Sequence, residues 1–442
     1  MQKKINIIVF SVLALLLVSQ VFLLTFDIRD DLIEFMEKYA MHRPLNHEKW
    51  HDSIPEIARF FIFLVIPLLL FYKLFAMWFA QNVKNSSLNF LRSIACVTVF
   101  MSHATIATMS FCQVPLFTDL YKKIFQSPAW GGVWVFFIIG GYLAGKSFSD
   151  GRYSFDCSGV LKYYKAKFFK IVVPTFAFIF VCCVFASPTF IKENPMALLK
   201  FFTLTYNGSP MNNAISVTWY VFTIVQLYLL APLLSFVAIK AKKQQKNLIA
   251  LSIFVFIAGL LYRFFAIKSG LNHEIYVYKP FFANLDLFFG GVLLSQIVSV
   301  LPEKFMSAAF KDLSLFLLLV MLLINSFFNY MSFAYQVLFP SVYFLLVSFC
   351  LVSYSDEKWV TEYDSVFERA LAFFSSITFE FYLFHCLVLS SIYPVFLEKN
   401  ALVLHLQLLL ASFVITCICS VGFKRIFSGA KHAFKSKVGA KP

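Results

Sequence analysis

Apolar segments of about 20 residues recur along most of this chain, and they limit what it can fold into. A helix needs roughly that length to cross a bilayer, and only helices or closed barrels satisfy every backbone polar group within lipid. Hydrophobic residues make up 60% of the 442 residues and charged residues only 14%, against roughly 25% charged in soluble domains. We therefore predict an all-α polytopic membrane protein.

The apolar segments predict about twelve transmembrane helices. Their predicted ranges are 5–26, 57–80, 88–110, 130–148, 168–187, 217–239, 247–267, 281–301, 313–330, 334–354, 373–397 and 402–423. If the N-terminus is cytosolic, the inner loops and tails hold roughly twice as many lysines and arginines as the outer loops, as the positive-inside rule expects. Both termini are therefore predicted to be cytosolic.

The predicted helices divide the chain into three parts. Residues 1–87 contain two N-terminal spans joined by an acidic outer loop, residues 88–424 contain a ten-helix core, and residues 425–442 form a basic cytosolic tail. The first apolar run is longer than the core of a signal peptide, and no small-residue cleavage site follows it. We interpret it as an uncleaved first span.

The net charge of +15 is explained by inner loops that set the topology and contact anionic lipid headgroups. It gives no reason to expect nucleic acid as a partner. The predicted inner loop from Ser149 to Lys170 is a partial exception, because a cytosolic ligand that carries phosphate could bind its lysines. The nine cysteines lack a metal-ligand spacing such as C-x-x-C, so we predict neither a disulfide framework nor a metal site.

Two ionisable residues lie inside the third predicted span, whose sequence is LNFLRSIACVTVFMSHATIATMS. Arg92 and His103 are eleven positions apart, which is about three full helical turns and about 16 Å of rise. Both side chains therefore point the same way, with Arg92 near the cytosolic end and His103 in the outer half. A guanidinium suits phosphate recognition, and an imidazole suits proton transfer near neutral pH.

Each of these two residues has a purely structural alternative. Arg92 could extend to the lipid headgroups, and His103 could be a core histidine with satisfied hydrogen bonds. Because an ionisable group in the bilayer costs roughly 2.5–3.5 kcal/mol or more, two on one face indicate a polar interior surface.

Other polar residues recur in the neighbouring spans. His385 is predicted to lie at a depth similar to that of His103. Arg263 and Asp286 lie at matching depths in successive helices, and we predict a structural ion pair between them. Trp219 could be an interfacial belt residue. The glycines of the fourth span favour close helix packing over space for a ligand.

The order of these motifs resembles the acyltransferase-3 family of integral membrane O-acyltransferases. Arg92 and His103 match the R-x10-H pattern of the family's first core helix. Further matching segments are GGVWVFFIIGGY, YYKAKFFKIVVP, TWYVFTIVQLYLLAPLL, NLDLFFGGVLLS and SSITFEFYLFHCLVL, in family order. Four features depart from the pattern. Gly140 stands where a serine is usual, Trp134 where a polar residue is common and Asn284 where an arginine is usual, and no glutamate precedes Tyr228 at the position frequent in one branch of the family.

The resemblance implies transfer of an acyl group, usually acetyl, from cytosolic acetyl-CoA to a hydroxyl of a surface or lipid-linked glycan at a bacterial inner membrane. His103 would be the general base or an acyl carrier, and Arg92 would hold the phosphates of the donor. Further residues expected to bind the donor are Gly132, Lys167 and Lys170. Residues expected to line the substrate pocket are Trp219, Asp286, His385 and Tyr382.

A secondary transporter or flippase of a glycan or small solute is the alternative function. Twelve spans with intramembrane charges fit that class as well. The two halves of the chain do not, however, show the paired helices broken by glycine or proline that inverted-repeat transporters often have. The sequence therefore favours the acyltransferase.

Overall fold

The computed structural model describes residues 87–111, 128–186, 189–208, 213–301, 307–324, 332–354, 366–392 and 402–439. Within these ranges the regular secondary structure is entirely helical, without a β-strand. The predicted spans 5–26 and 57–80 lie outside the described residues.

The α-helices are numbered here in chain order. They are α1 (Ser87–Phe111), α2 (Pro128–Ser149), α3 (Cys157–Lys167), α4 (Val173–Val181), α5 (Phe190–Glu193), α6 (Pro195–Phe202), α7 (Asn213–Ser216), α8 (Trp219–Lys242), α9 (Gln245–Lys268), α10 (Leu285–Ile297), α11 (Ala308–Ile324), α12 (Phe333–Ser353), α13 (Val366–Ile392) and α14 (Leu402–Gly439). Short π-helices occupy Phe168–Val172, Cys182–Ala186 and His273–Tyr278, and 3-10 turns occupy Phe281–Asn284 and Val298–Val300.

Eight helical segments of the described ranges are long and apolar enough to cross a membrane. They confirm a multi-pass helical membrane protein, whereas the total of twelve spans stays a prediction. The helix α1, which carries Arg92 and His103, has 25 residues and so has the length to span a membrane, although it is not among those eight.

One predicted loop is wrong over most of its length. The segment Ser149 to Lys170 was expected to be a cytosolic loop, but it is helical from Cys157 onward. Asp156 begins this helix by accepting a hydrogen bond from the Gly159 backbone N–H, and lysine is a good helix former. The basic residues of this stretch therefore lie on helical turns, Lys167 at the end of α3 and Lys170 in the π-helical turn that follows.

The helix α2 lies at the centre of the bundle and packs against α1, α8, α10 and α12. Its closest contact is with α10. A Cβ atom at Gly141 would overlap the Phe288 carbonyl oxygen, and one at Gly291 would overlap the Ile138 carbonyl oxygen. At these positions glycine lets the two backbones touch, which confirms the packing interpretation of this glycine-rich span.

The predicted ion pair between Arg263 and Asp286 is confirmed. The Arg263 side chain is 1% exposed, and its Nη2 lies 2.8 Å from Asp286 Oδ2. Its five N–H donors have five acceptors: the carbonyl oxygens of Val337 and Ala283, both carboxylate oxygens of Asp286, and Ser341 Oγ. With every donor engaged, Arg263 links α9, α10 and α12 as a structural residue.

Candidate active site

The helices α1 and α13 pack side by side and run in the same direction. Ser375 Oγ donates a hydrogen bond to Asn89 Oδ1 at 2.9 Å near the start of both helices. Further along, the Cys96 thiol lies 3.6 Å from the Thr378 carbonyl oxygen. Residue numbers at successive contacts increase along both helices, so the two helices are parallel. Residues at equal depth in the two helices can therefore contact each other.

The same seam joins the two intramembrane histidines. His385 Nε2 lies 3.0 Å from His103 Nδ1, which confirms that the two side chains share one depth. His385 is 1% exposed, whereas His103 is only half-buried. The sequence pattern of either helix alone could not show that these rings touch.

Hydrogen bonds assign the protons of both rings. His385 Nδ1 lies 2.6 Å from the Tyr382 carbonyl oxygen, so it carries a hydrogen, and Nε2 of the neutral ring is an acceptor. His103 Nδ1 lies 3.1 Å from the Val99 carbonyl oxygen and faces His385 Nε2. Because both neighbours are acceptors, His103 Nδ1 carries the hydrogen, and the lone pair is on His103 Nε2.

Cys386 adds a third polar atom to this pair. Its sulfur lies 3.4 Å from His385 Nε2, and the three ligand atoms of His103, His385 and Cys386 all lie within 4.8 Å of one another. This set offers the donor types that zinc prefers. His385 Nε2 has one lone pair, however, so a metal ion there would displace the hydrogen bonds that His103 Nδ1 and the Cys386 thiol can donate to it.

A second polar cluster lies nearer the start of α1, around Arg92. Lys167 Nζ lies over the Tyr228 ring at 3.7 Å from its centroid, and it is close enough to Arg92, Arg152 and Lys170 to interact with their charges. Tyr228 also interacts electrostatically with Arg92. The structure thus brings together three residues expected to bind the donor, Arg92, Lys167 and Lys170.

No carboxylate forms an ion pair with Arg92 or Lys167 in the described part of the chain, where the ion pairs are Arg263 with Asp286 and Lys279 with Glu274. The two cations are half-buried. Uncompensated charge in the interior is costly, so this cluster is suited to an anionic ligand.

Half-buried side chains recur in both polar clusters. Lys167 and Tyr228 are electrostatic neighbours of Arg92, and Tyr220 is in turn a neighbour of Tyr228. These four side chains and His103 are all half-buried in one bundle.

Aromatic side chains continue from the histidine pair toward the start of α8. The Tyr382 ring lies 5.4 Å from the His385 ring and 5.2 Å from the Tyr220 ring, between ring centroids. Tyr220 in turn neighbours Trp219 at 6.2 Å. The Tyr382 hydroxyl donates a 2.7 Å hydrogen bond to the Val217 carbonyl oxygen, so its ring is fixed in place.

Two of the predicted site residues have other surroundings. Gly132 packs against α1, because a Cβ atom there would lie 2.6 Å from the Ala95 carbonyl oxygen. Asp286 is held by Arg263 and borders a cavity of about 140 Å³ lined mainly by apolar residues of α9, α10 and α12.

The sequence indicated no site role for Tyr228, Tyr220 or Arg152, although the two tyrosines lie in one of the matching segments. The chain has 20 tyrosines, and nothing in the segment TWYVFTIVQLY distinguishes these two from the others. Their importance comes from contacts between α8 and distant helices. Arg152 lies in the basic stretch that the sequence did single out.

Comparison with known proteins agrees with this geometry. A family model described as an acyltransferase domain matches residues 85–424, which include the histidine pair and the basic cluster. No curated protein and no solved structure matches the chain. Because the family model covers most of its length, the chain belongs to the acyltransferase-3 family and is a membrane acyltransferase.

Proposed function

We propose that this acyltransferase moves an acetyl group from cytosolic acetyl-CoA to a hydroxyl of a cell-surface or lipid-linked glycan at a bacterial inner membrane. The observation that carries the proposal is the placement of Arg92 and Lys167, two half-buried cations without a carboxylate partner among the described residues, in one bundle with His103. Arg92 and His103 share one helix and are separated by about 16 Å.

The basic cluster fits the phosphates of coenzyme A. A guanidinium can donate two parallel hydrogen bonds to a phosphate, and the Lys167 ammonium adds a point charge beside it. Contact with the Tyr228 ring offsets part of the cost of burying that ammonium. A diphosphate would supply negative charge beside Arg92 and Lys167, and the thioester would then extend toward His103.

The tautomer of His103 fits a general base. In the proposed reaction His103 Nε2 takes the proton of the acceptor hydroxyl while the hydroxyl oxygen attacks the thioester carbonyl carbon. Collapse of the tetrahedral intermediate breaks the carbon–sulfur bond, and the sulfur leaves with the proton from His103 Nε2. Acyl transfer through a covalent acyl-imidazole is the alternative role of His103.

The acceptor would approach from the opposite side, past the aromatic residues at the start of α8. Trp219, Tyr220 and Tyr382 provide apolar ring faces beside the histidine pair. Pockets for small ligands are mostly lined by such side chains. The donor and acceptor would then meet at His103 from the two sides of the membrane.

Purified protein in proteoliposomes tests the proposal directly. The donor is [1-14C]acetyl-CoA, and the acceptor is an envelope glycan fraction from cells that lack the protein. We expect wild type to label the glycan and His103→Ala to leave it unlabelled. Lys246→Gln, which removes an exposed charge at the start of α9, is the control and should label it normally.

Two results would contradict the proposal. One is labelling by His103→Ala at the wild-type rate. The other is solute uptake into the vesicles without acetyl-CoA and without labelling, which would favour a transporter.

A further inference from the structure

We propose that His385 is a positioning residue that accepts the hydrogen bond of His103 and shares the proton that His103 gains during acyl transfer. This inference rests on the proposed role of His103 as the base. It assigns to a second histidine the part that a carboxylate plays in many hydrolases, where a buried Asp orients the catalytic imidazole and stabilises the imidazolium that forms.

The geometry of His385 fits an acceptor held in one orientation. Its Nδ1–H donates to the Tyr382 carbonyl oxygen at 2.6 Å, which leaves Nε2 unprotonated and directed at His103 Nδ1 at 3.0 Å. Its ring also packs against the Tyr382 ring, which the hydrogen bond to Val217 holds in place. His385 therefore cannot turn away without breaking the hydrogen bond to Tyr382.

The surroundings explain why a proton partner is needed. Among the described contacts of the His103 imidazole are the Val99 carbonyl oxygen and His385, and no carboxylate. A positive charge that appears on His103 therefore lacks a nearby anion among the residues that the structure describes. Val99 can orient the Nδ1–H bond, but a carbonyl oxygen cannot take up a proton, whereas His385 Nε2 can.

The proton movements balance over the reaction. As His103 Nε2 takes the hydroxyl proton, its Nδ1 proton moves toward His385 Nε2, and the charge spreads over both rings. When the carbon–sulfur bond breaks, the Nε2 proton goes to the leaving sulfur and the Nδ1 proton returns to His103. The pair ends the cycle in its starting state.

Two substitutions separate a hydrogen-bonding role from a packing role. His385→Phe keeps an aromatic ring but removes the acceptor, and His385→Gln keeps an acceptor that cannot bind a proton. In the assay with acetyl-CoA and the envelope glycan fraction, we expect kcat to fall about 100-fold in His385→Phe and about 10-fold in His385→Gln. The KM for acetyl-CoA should stay within twofold of wild type in both.

Equal kcat in wild type and His385→Phe would overturn the inference while leaving the proposed function intact. Equal losses in both variants with a raised KM would also overturn it, because they would indicate disturbed packing. If wild type transfers no acetyl group, or if His103→Ala remains active, the proposed function fails first, and this inference fails with it.

Nitrogen-15 NMR of wild-type protein in bilayers, with labelled histidine, tests the same inference without turnover and without a substituted protein that must fold. We expect both rings to be neutral with hydrogen on Nδ1, and a coupling across the bond from His103 Nδ1 to His385 Nε2. Hydrogen on His103 Nε2 instead, or one equivalent of zinc in the purified protein, would overturn the inference.

Discussion

The chemical environment of individual side chains in this protein is set by contacts with helices that are far apart in sequence. The apolar context made Arg92 and His103 conspicuous in the sequence, because charge is costly in a membrane. The contact of Lys167 with Tyr228 joins α3 to α8, and no local pattern could predict it. The sequence therefore identified Arg92 and His103 but not the contact of Tyr228 with Lys167.

The ring of Tyr228 should help to hold Lys167 in place for the donor. Tyr228→Leu removes the ring, and we expect the KM for acetyl-CoA to rise about fivefold, which corresponds to about 1 kcal/mol of cation–π interaction. Tyr228→Phe keeps the ring face and should stay near wild type. Equal KM values in Tyr228→Leu and wild type would show that the contact does not support donor binding.

His273 should make the stability of the protein depend on pH. It lies between α9 and α10, where its ring stacks on Trp130 at 4.6 Å between centroids. Burial lowers the pKa of His273 from its ordinary value to about 4, although nearby Glu274 opposes the shift. Between pH 6.5 and 4 the unfolded chain therefore binds a proton at this position that the folded protein does not, so stability falls as the pH falls.

We expect this loss to be about 1 kcal/mol, because water screens a partly exposed ring. Thermal unfolding in detergent at pH 7.5 and pH 4.5 measures it. His273→Phe keeps an aromatic ring at this position and cannot titrate, so the difference between the two pH values should be smaller in this variant. The same pH response in both proteins would exclude His273 as the cause.

At the scale of elements, helix positions were easier to predict than helix contacts. Most predicted spans after residue 88 overlap a helix because length and hydropathy are local properties. The π-helical turn at Phe168–Val172 has no such local signal. Its neighbour α3 was assigned to a loop because its lysines resemble a cytosolic connection.

The contact between α2 and α10 should tolerate no side chain at Gly141. Gly141→Ala places a Cβ against the Phe288 carbonyl oxygen, so we expect a loss of about 1–3 kcal/mol as the helices separate. Gly422→Ala is the matched control, because a Cβ in α14 meets nothing within 4 Å, and alanine favours a helix over glycine. A comparison of unfolding midpoints in detergent should therefore show loss only in Gly141→Ala.

The ion pair between α9 and α10 should matter for stability and not for chemistry. Asp286→Asn leaves the buried Arg263 without its anion, which costs about 3–5 kcal/mol where one partner of a buried pair is removed. We expect a lower unfolding midpoint but an unchanged KM for acetyl-CoA in the protein that remains folded. A changed KM at normal stability would instead indicate a direct role for Asp286 at the site.

At the scale of the whole molecule, one helical bundle holds both the basic cluster and the histidine pair. The family's motifs come from five predicted spans and the basic stretch before another, and the structure gathers them around α1 and α2. The resemblance of the motif order to a known family indicated that these helices pack together. The residues of each motif alone do not require that packing. Which helices pack together depends on residues far apart in the sequence, so local sequence patterns do not predict it.

The most direct test of this account compares two variants at increasing acetyl-CoA concentration in the proteoliposome assay. If Arg92 binds the donor and His103 is the base, Arg92→Gln should approach the wild-type rate at saturating acetyl-CoA, whereas His103→Ala should stay inactive at every concentration. Full activity in His103→Ala, or an Arg92→Gln protein that binds acetyl-CoA like wild type yet transfers nothing, would contradict the account.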